Sequence, residues 1–206
     1  MWLGNSMKNL LLIVLVLIGS AWARSPYSPR GGRAYGQDQY TNAMITIDYE
    51  HHEIHEGAHF FICDTITLGS GDSVMFAMKT DAGPKEVHLA WDIFGSKGIF
   101  LEIFEGAGIT WDGANATIRN NDRNSATVST VDSLQADPTV VSLGTRIQVD
   151  IGGTATNPAS GIPGVASRNR ELILKKGTVY LFTITSQAAS NIIGYCGQWY
   201  EPTPKD

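Results

Sequence analysis

Downstream of residue 43 the apolar residues fall in short runs, alternating or β-branched, broken by glycine- and aspartate-rich punctuation. That pattern predicts strands joined by turns. Met44-Ile45-Thr46-Ile47-Asp48-Tyr49 alternates. Phe60 to Leu68 is rich in aromatic and β-branched residues and stops at Gly69-Ser70-Gly71-Asp72. Ser73 to Lys79 sets Val74 and Phe76 on one face, Met75 and Ala77 on the other. A turn at Asp81-Ala82-Gly83-Pro84 leads to Glu86 to Phe94 and Gly98 to Phe104. The Gly95-Ser96-Lys97 loop between them predicts a β-hairpin. Gly106 to Pro163 is more polar, with short strands predicted at Ala116 to Arg119, Ala126 to Val131 and Arg146 to Ile151. Gly152 to Ser167 reads as a long surface loop. Glu171 to Leu174, Thr178 to Ser186 and Ile192 to Glu201 complete the set. In Thr178 to Ser186 the alternation predicts Tyr180, Phe182 and Ile184 in the core, with Thr183 and Thr185 on a wetter face. No segment of helical length shows a 3.6-residue period. About ten short strands predict an all-β fold, an antiparallel β-sandwich of jelly-roll-like arrangement.

The region before residue 43 reads differently. Lys8, the apolar run Leu10 to Ile18 and Ala21-Trp22-Ala23 have the order of a signal peptide, assigning residues 1–23 to export. The run is shorter than the roughly 20 residues a membrane span needs. The mature chain is therefore expected to keep no stable membrane span and to be exported or extracellular. Residues 24–42, rich in Gly, Pro, Ser, Arg and Tyr, read as a flexible basic arm, and residues 43–206 as the sandwich domain.

Charge sharpens this division. Four of the 15 Lys/Arg but only one of the 20 Asp/Glu precede Ala43, leaving 11 basic and 19 acidic residues in the body. An acidic body offers no clustered positive charge for nucleic acid, and no nucleic-acid partner is expected.

Candidate chemistry concentrates in His51-His52-Glu53-Ile54-His55-Glu56-Gly57-Ala58-His59. His55-Glu56-x-x-His59 matches the zinc-protease spacing, which works only when a helix sets both imidazoles on one face. Gly57 inside the motif, and a strand starting at Phe60, argue against such a helix and for a polar loop or strand edge. His51, His52, His55 and His59 remain the metal candidates, but no catalytic residue, metal site or cofactor is expected, and a zinc-dependent hydrolase is a distant alternative. Cys63 and Cys196 lie in apolar runs. Two buried thiols or one disulfide both suit them, since export permits a bridge. Trp91, Trp111, Trp199, Tyr195 and Tyr200 could stack on a sugar, but at strand spacing they read first as core and rim.

Three segments together resemble a known family. They are Ile47 to Gly57 with His59-Phe60-Phe61; Arg119-Asn120-Asn121-Asp122-Arg123-Asn124-Ser125; and Glu171 to Lys175, leading through Tyr180-Leu181 to Asn191 and Trp199-Tyr200-Glu201. This set resembles small β-rich virion-associated proteins of tailed bacteriophages. The resemblance implies a structural protein, a head-decoration or fibre-like component on the virion surface that forms homo-oligomers, with a trimer expected, or docks on a capsid or surface protein. Arg119, Arg123, Arg168 and Arg170, in polar loops, are the self-association candidates. An exported surface or extracellular binding domain, for instance for glycans, is the alternative that the signal peptide favours.

Overall fold

The computed structural model describes residues 36–37, 44–45, 49–153 and 171–202. The predicted signal segment, most of the arm, and Arg168 and Arg170 lie outside these. β1 (Gly36–Gln37), in the arm expected to be flexible, pairs antiparallel with β2 (Met44–Ile45), which begins the strand expected from Met44. Among the described residues the body, from Asp48 on, contains two large antiparallel sheets and one two-stranded sheet.

One sheet has the order β13 (Leu172–Leu174), β5 (Val87–Gly95), β15 (Asn191–Tyr200), β3 (His59–Leu68) and β9 (Arg119–Asn120). The other runs β12 (Thr145–Gly152), β6 (Ile99–Glu105), β14 (Val179–Ser186), β4 (Ser73–Lys79), β10 (Ser133–Ala136) and β8 (Ala114–Asn115). β3 and β4 lie in different sheets, as do β4 and β5, β5 and β6, β12 and β13, β13 and β14, and β14 and β15. The order β13-β5-β15-β3 faces β12-β6-β14-β4, which is the eight-stranded jelly roll. The chain between β6 and β12 supplies the sheet extensions β8, β9 and β10. It also supplies a separate pair, β7 (Gly108–Thr110) with β11 (Thr139–Ser142).

This strand order corrects the hairpin expected at Gly95-Ser96-Lys97. β5 pairs with β13 and β15, while β6 pairs with β12 and β14, so the loop crosses between sheets. The fully buried Asn191 fixes the crossing. Its Oδ1 accepts from the Lys97 amide at 2.8 Å and from Ser96 Oγ, and its Nδ2 donates to the Gly98 carbonyl.

The core lies between the sheets. Phe60, Leu89 and Trp199 enter it from one side, Phe76, Leu101 and Phe182 from the other. Trp91 packs against Phe182 and Phe76 at ring-centroid separations of 5.0 and 5.7 Å. Gly197 faces that indole across the strand pair. A Cβ there would stand 3.0 Å from the Trp91 ring, so the close approach requires glycine.

β14 is buried on both faces. Tyr180, Phe182 and Ile184 point into the main core, as their alternation predicts. On the opposite face Leu181 is enclosed with Ala77, Phe104 and Ala107, against Ile109 and Val140 of the β7–β11 pair. Thr183, expected on a wet face, is 9% exposed. The polar β6–β12 excursion folds back as cover over that end of the sheet, a tertiary effect with no periodic signal.

A short helix, α1 (Tyr49–His55), stands where a polar loop or strand edge was expected, and it overlaps the strand expected over Met44 to Tyr49 only at Tyr49. It is too brief to show a 3.6-residue period, and it turns Glu53 inward while His51, His52 and His55 face solvent. Gly57, at φ 69°, ends it. Its amide donates to the Ile54 carbonyl and the Ala58 amide to the Glu53 carbonyl, the two bonds of a Schellman cap.

Candidate functional site

The densest polar chemistry lies at one end of the five-stranded sheet, on and beside its outer face. His59, Tyr200 and His88 are direct cross-strand partners on β3, β15 and β5. Because Phe60, Trp199 and Leu89 point inward, the residues beside them in sequence point outward. Tyr200 stacks on His88 at 4.7 Å and on His59 at 6.3 Å. A carboxylate closes each end of this ladder. Glu50 of α1 accepts from His59 Nε2 at 3.2 Å; Glu171 binds His88 Nδ1 at 2.5 Å and accepts from the Tyr200 hydroxyl at 2.7 Å.

His59 is 1% exposed beneath α1 and the loop after β9. Its Nδ1 accepts from Asn121 Nδ2 at 2.7 Å, which with the Glu50 bond defines a neutral ring protonated on Nε2. Burial pushes its pKa below the ordinary 6.5, and Glu50, through charge and hydrogen bond, and Glu53 oppose that only in part. A proton added at Nδ1 would confront the Asn121 amide. A histidine with a lowered folded-state pKa contributes stability that is complete above its unfolded value and lost as pH falls below it. The melting temperature is therefore expected to hold above pH 7 and to fall as pH drops below about 6.5, with a loss of at most ~1.4 kcal/mol of stability per pH unit from this one proton. His59→Gln should flatten that decline, as pH-resolved thermal melts will show; an unchanged slope would place the sensitivity elsewhere.

Beside the ladder, the Glu201 carboxylate is fully buried and acts as a latch. It accepts from the Thr130 amide at 2.8 Å, Thr130 Oγ1 at 2.8 Å, Ser129 Oγ at 2.5 Å and Trp199 Nε1 at 3.0 Å. The Glu201 amide in turn donates to the Ala58 carbonyl. Asn120 Nδ2 donates to the carbonyls of Gly57 and Thr127. The three segments that carry the family resemblance thus meet here: α1 and the start of β3, the loop after β9, and the strand ends bearing Glu171 and Glu201.

The metal candidates separate. The H-E-x-x-H spacing spans a helix end, so His55 is exposed on α1 while His59 is buried on β3, bound to Glu50 and Asn121. His55 instead faces His51, with their Nε2 atoms 3.0 Å apart. His52 lies near Glu53 and Glu56. Among the described residues no group of three or more His, Cys, Asp or Glu is placed to hold a metal ion.

Of the self-association candidates, Arg119 is exposed on the edge strand β9, and Arg123 is exposed with its guanidinium bonded to the Asn120 carbonyl. Sequence reasoning missed a different surface. Val141 and Leu143, then Ile147, Val149 and Ile151 of the edge strand β12, are all exposed, Val141 by 74% and Ile151 by 65%. Among the described residues β12 pairs with β6 alone. The alternation of Arg146 to Ile151 was visible, but not that the strand lies at an edge.

Cys63 and Cys196 are bridged, which settles the open alternative against buried thiols. They sit directly opposite each other on β3 and β15, and Cys63 is exposed on the outer face. Among the described residues no helix is long and apolar enough to cross a membrane.

No family model matches the chain, and no curated protein matches it. Similar solved structures are viral particles. The T13 particle of infectious bursal disease virus is 15% identical over 82% of this chain and 43% of that one, with a TM-score of 0.19. The Gt strain of infectious bursal disease virus is 14% identical over 82% and 44%, with a TM-score of 0.17. The chain spans less than half the length of these proteins. Superpositions this loose do not define the fold; the strand order does.

Proposed function

We propose that this chain is a non-enzymatic structural protein of a viral particle that works by associating with copies of itself. The observation that carries the reading is the exposed aliphatic edge of β12. Among the described residues β12 is the sheet edge, and the exposed aliphatic row of Ile147, Val149 and Ile151 along it suits another chain, since soluble proteins usually blunt such edges. The polar ladder supports the same reading. Its histidines, carboxylates and tyrosine are spent on one another, which stiffens a sheet end. The finer assignment, a decoration or fibre-like component of a tailed phage acting as a trimer, rests on the three-segment resemblance. The basic arm and the exposed Arg119 and Arg123 would meet acidic surface on a neighbouring copy. The disulfide favours a second reading, an exported extracellular binding domain, because such bridges persist in oxidising compartments.

Light scattering decides between them. At micromolar concentration and moderate salt, the mass is expected to be a multiple of the single chain, and Val149→Lys with Ile151→Lys should reduce it to one chain without lowering the melting temperature. A single-chain mass of the unsubstituted protein that does not change on concentration would overturn assembly and leave the binding domain.

A further inference from the structure

We propose that His51 and His55 form a two-imidazole binding site for a divalent transition metal, with copper(II) the best fit. The two residues are one helical turn apart on α1, the spacing at which side chains stand side by side. Both are exposed, and their Nε2 atoms approach to 3.0 Å. Metal–imidazole bonds are about 2.0–2.1 Å long, so two nitrogens at that separation subtend about 94° at a shared ion. That is the adjacent-corner angle of a square-planar or tetragonal centre, which copper(II) and nickel(II) prefer. A tetrahedral zinc would need the nitrogens about 3.3 Å apart, which two exposed side chains can also reach, so the choice of copper(II) rests on its affinity for nitrogen. Copper(II) heads the affinity order for nitrogen ligands.

The surroundings suit this. The exposed Glu50 and Glu56 add negative charge around the pair, which attracts a cation. The scaffold is held in place by the Schellman cap at Gly57, by the inward-turned Glu53, and by the Glu201 amide on the Ala58 carbonyl. A chelate on a braced helix loses less freedom on binding than one on a loose loop. Without metal, one Nε2–H donates to the other Nε2. With metal, both lone pairs face the ion, each ring carries its proton on Nδ1, and water fills the remaining positions. The site differs from the pair suggested by the H-E-x-x-H spacing, since His59 is buried and bound elsewhere. Among the described residues no third side chain joins the pair, and the proposal is of metal binding.

The test uses the full chain without an affinity tag. Copper(II) titrated by calorimetry should bind one ion per chain, and the electron paramagnetic resonance spectrum should show hyperfine splitting from two equatorial nitrogens. His51→Gln and His55→Gln should each weaken binding at least about tenfold, the gain an intramolecular second ligand supplies. His52→Gln, one position off the pair, should leave affinity unchanged. Circular dichroism melts of the three variants should coincide, since all three positions are solvent-facing. Binding that survives the double variant His51→Gln/His55→Gln, or falls equally in His52→Gln, would overturn the site and leave an adventitious ion only.

Discussion

Phe182→Ala is expected to destabilise the protein by about 3–5 kcal/mol, the range for deleting a buried phenyl ring. The ring is fully buried in the central strand β14 and packs on Trp91, so its loss leaves a cavity bounded by both sheets. Neighbours on well-paired strands cannot collapse into it, because the β14 backbone is held by β4 on one side and β6 on the other. In a domain of this size the midpoint of thermal melting should fall by roughly 10 °C. Thr183, one residue along, makes the contrast. It is buried on the opposite face and its hydroxyl has no hydrogen-bond partner. Thr183→Val removes an unsatisfied polar group at constant shape and should be neutral or stabilising by up to about 1 kcal/mol. Equal losses for the two variants, measured by urea denaturation, would show that the two faces of β14 are assigned wrongly.

Glu201→Ala is the second large effect, about 3 kcal/mol or more, because four donors lose a charged acceptor and such bonds are worth about 1.5–3 kcal/mol each. The carboxylate holds the Thr130 amide, two hydroxyls and the Trp199 indole; after substitution the half-buried Thr130 and Ser129 donors lose it, and Trp199 Nε1 keeps only Ser129 Oγ at 3.3 Å. The damage should be local before it is global. The Thr130 amide, bonded to the carboxylate, should exchange with deuterium faster than the amides of β14. Glu201→Gln keeps the shape and one acceptor oxygen and should cost less than Ala. A loss under about 1 kcal/mol for Glu201→Ala would mean that the latch holds nothing.

The long strands were legible because their two faces differ in sequence or because they are rich in β-branched and aromatic residues. Ser73 to Lys79 coincides with β4, and Phe60 to Leu68 misses β3 by a single residue. The jelly roll itself was only a guess from strand number. Strand order depends on which strands cross between sheets, and Gly95-Ser96-Lys97 has the length of a hairpin while serving as a crossing. Helix α1 was hidden by its brevity, and β7 and β11 by their polar context. At the candidate site, Gly57 ends α1 within the H-E-x-x-H spacing. The His59–Tyr200–His88 ladder could not be foreseen, since its three members come from strands separated by long stretches of chain and meet only through register.

The same alternation of strands between sheets governs how the polypeptide can be made. Among the described residues β3 is the first long strand in chain order, and its neighbour across the full length of the ladder is β15, the last. Its other partner, β9, covers two residues. β4 and β6 likewise wait for β14. Pairings so distant in sequence fold slowly, and the edges they leave open are prone to stick meanwhile. Neither sheet can therefore close until β14 and β15 have been made. Until then the early strands keep open edges, and a chaperone that covers them would favour folding over aggregation.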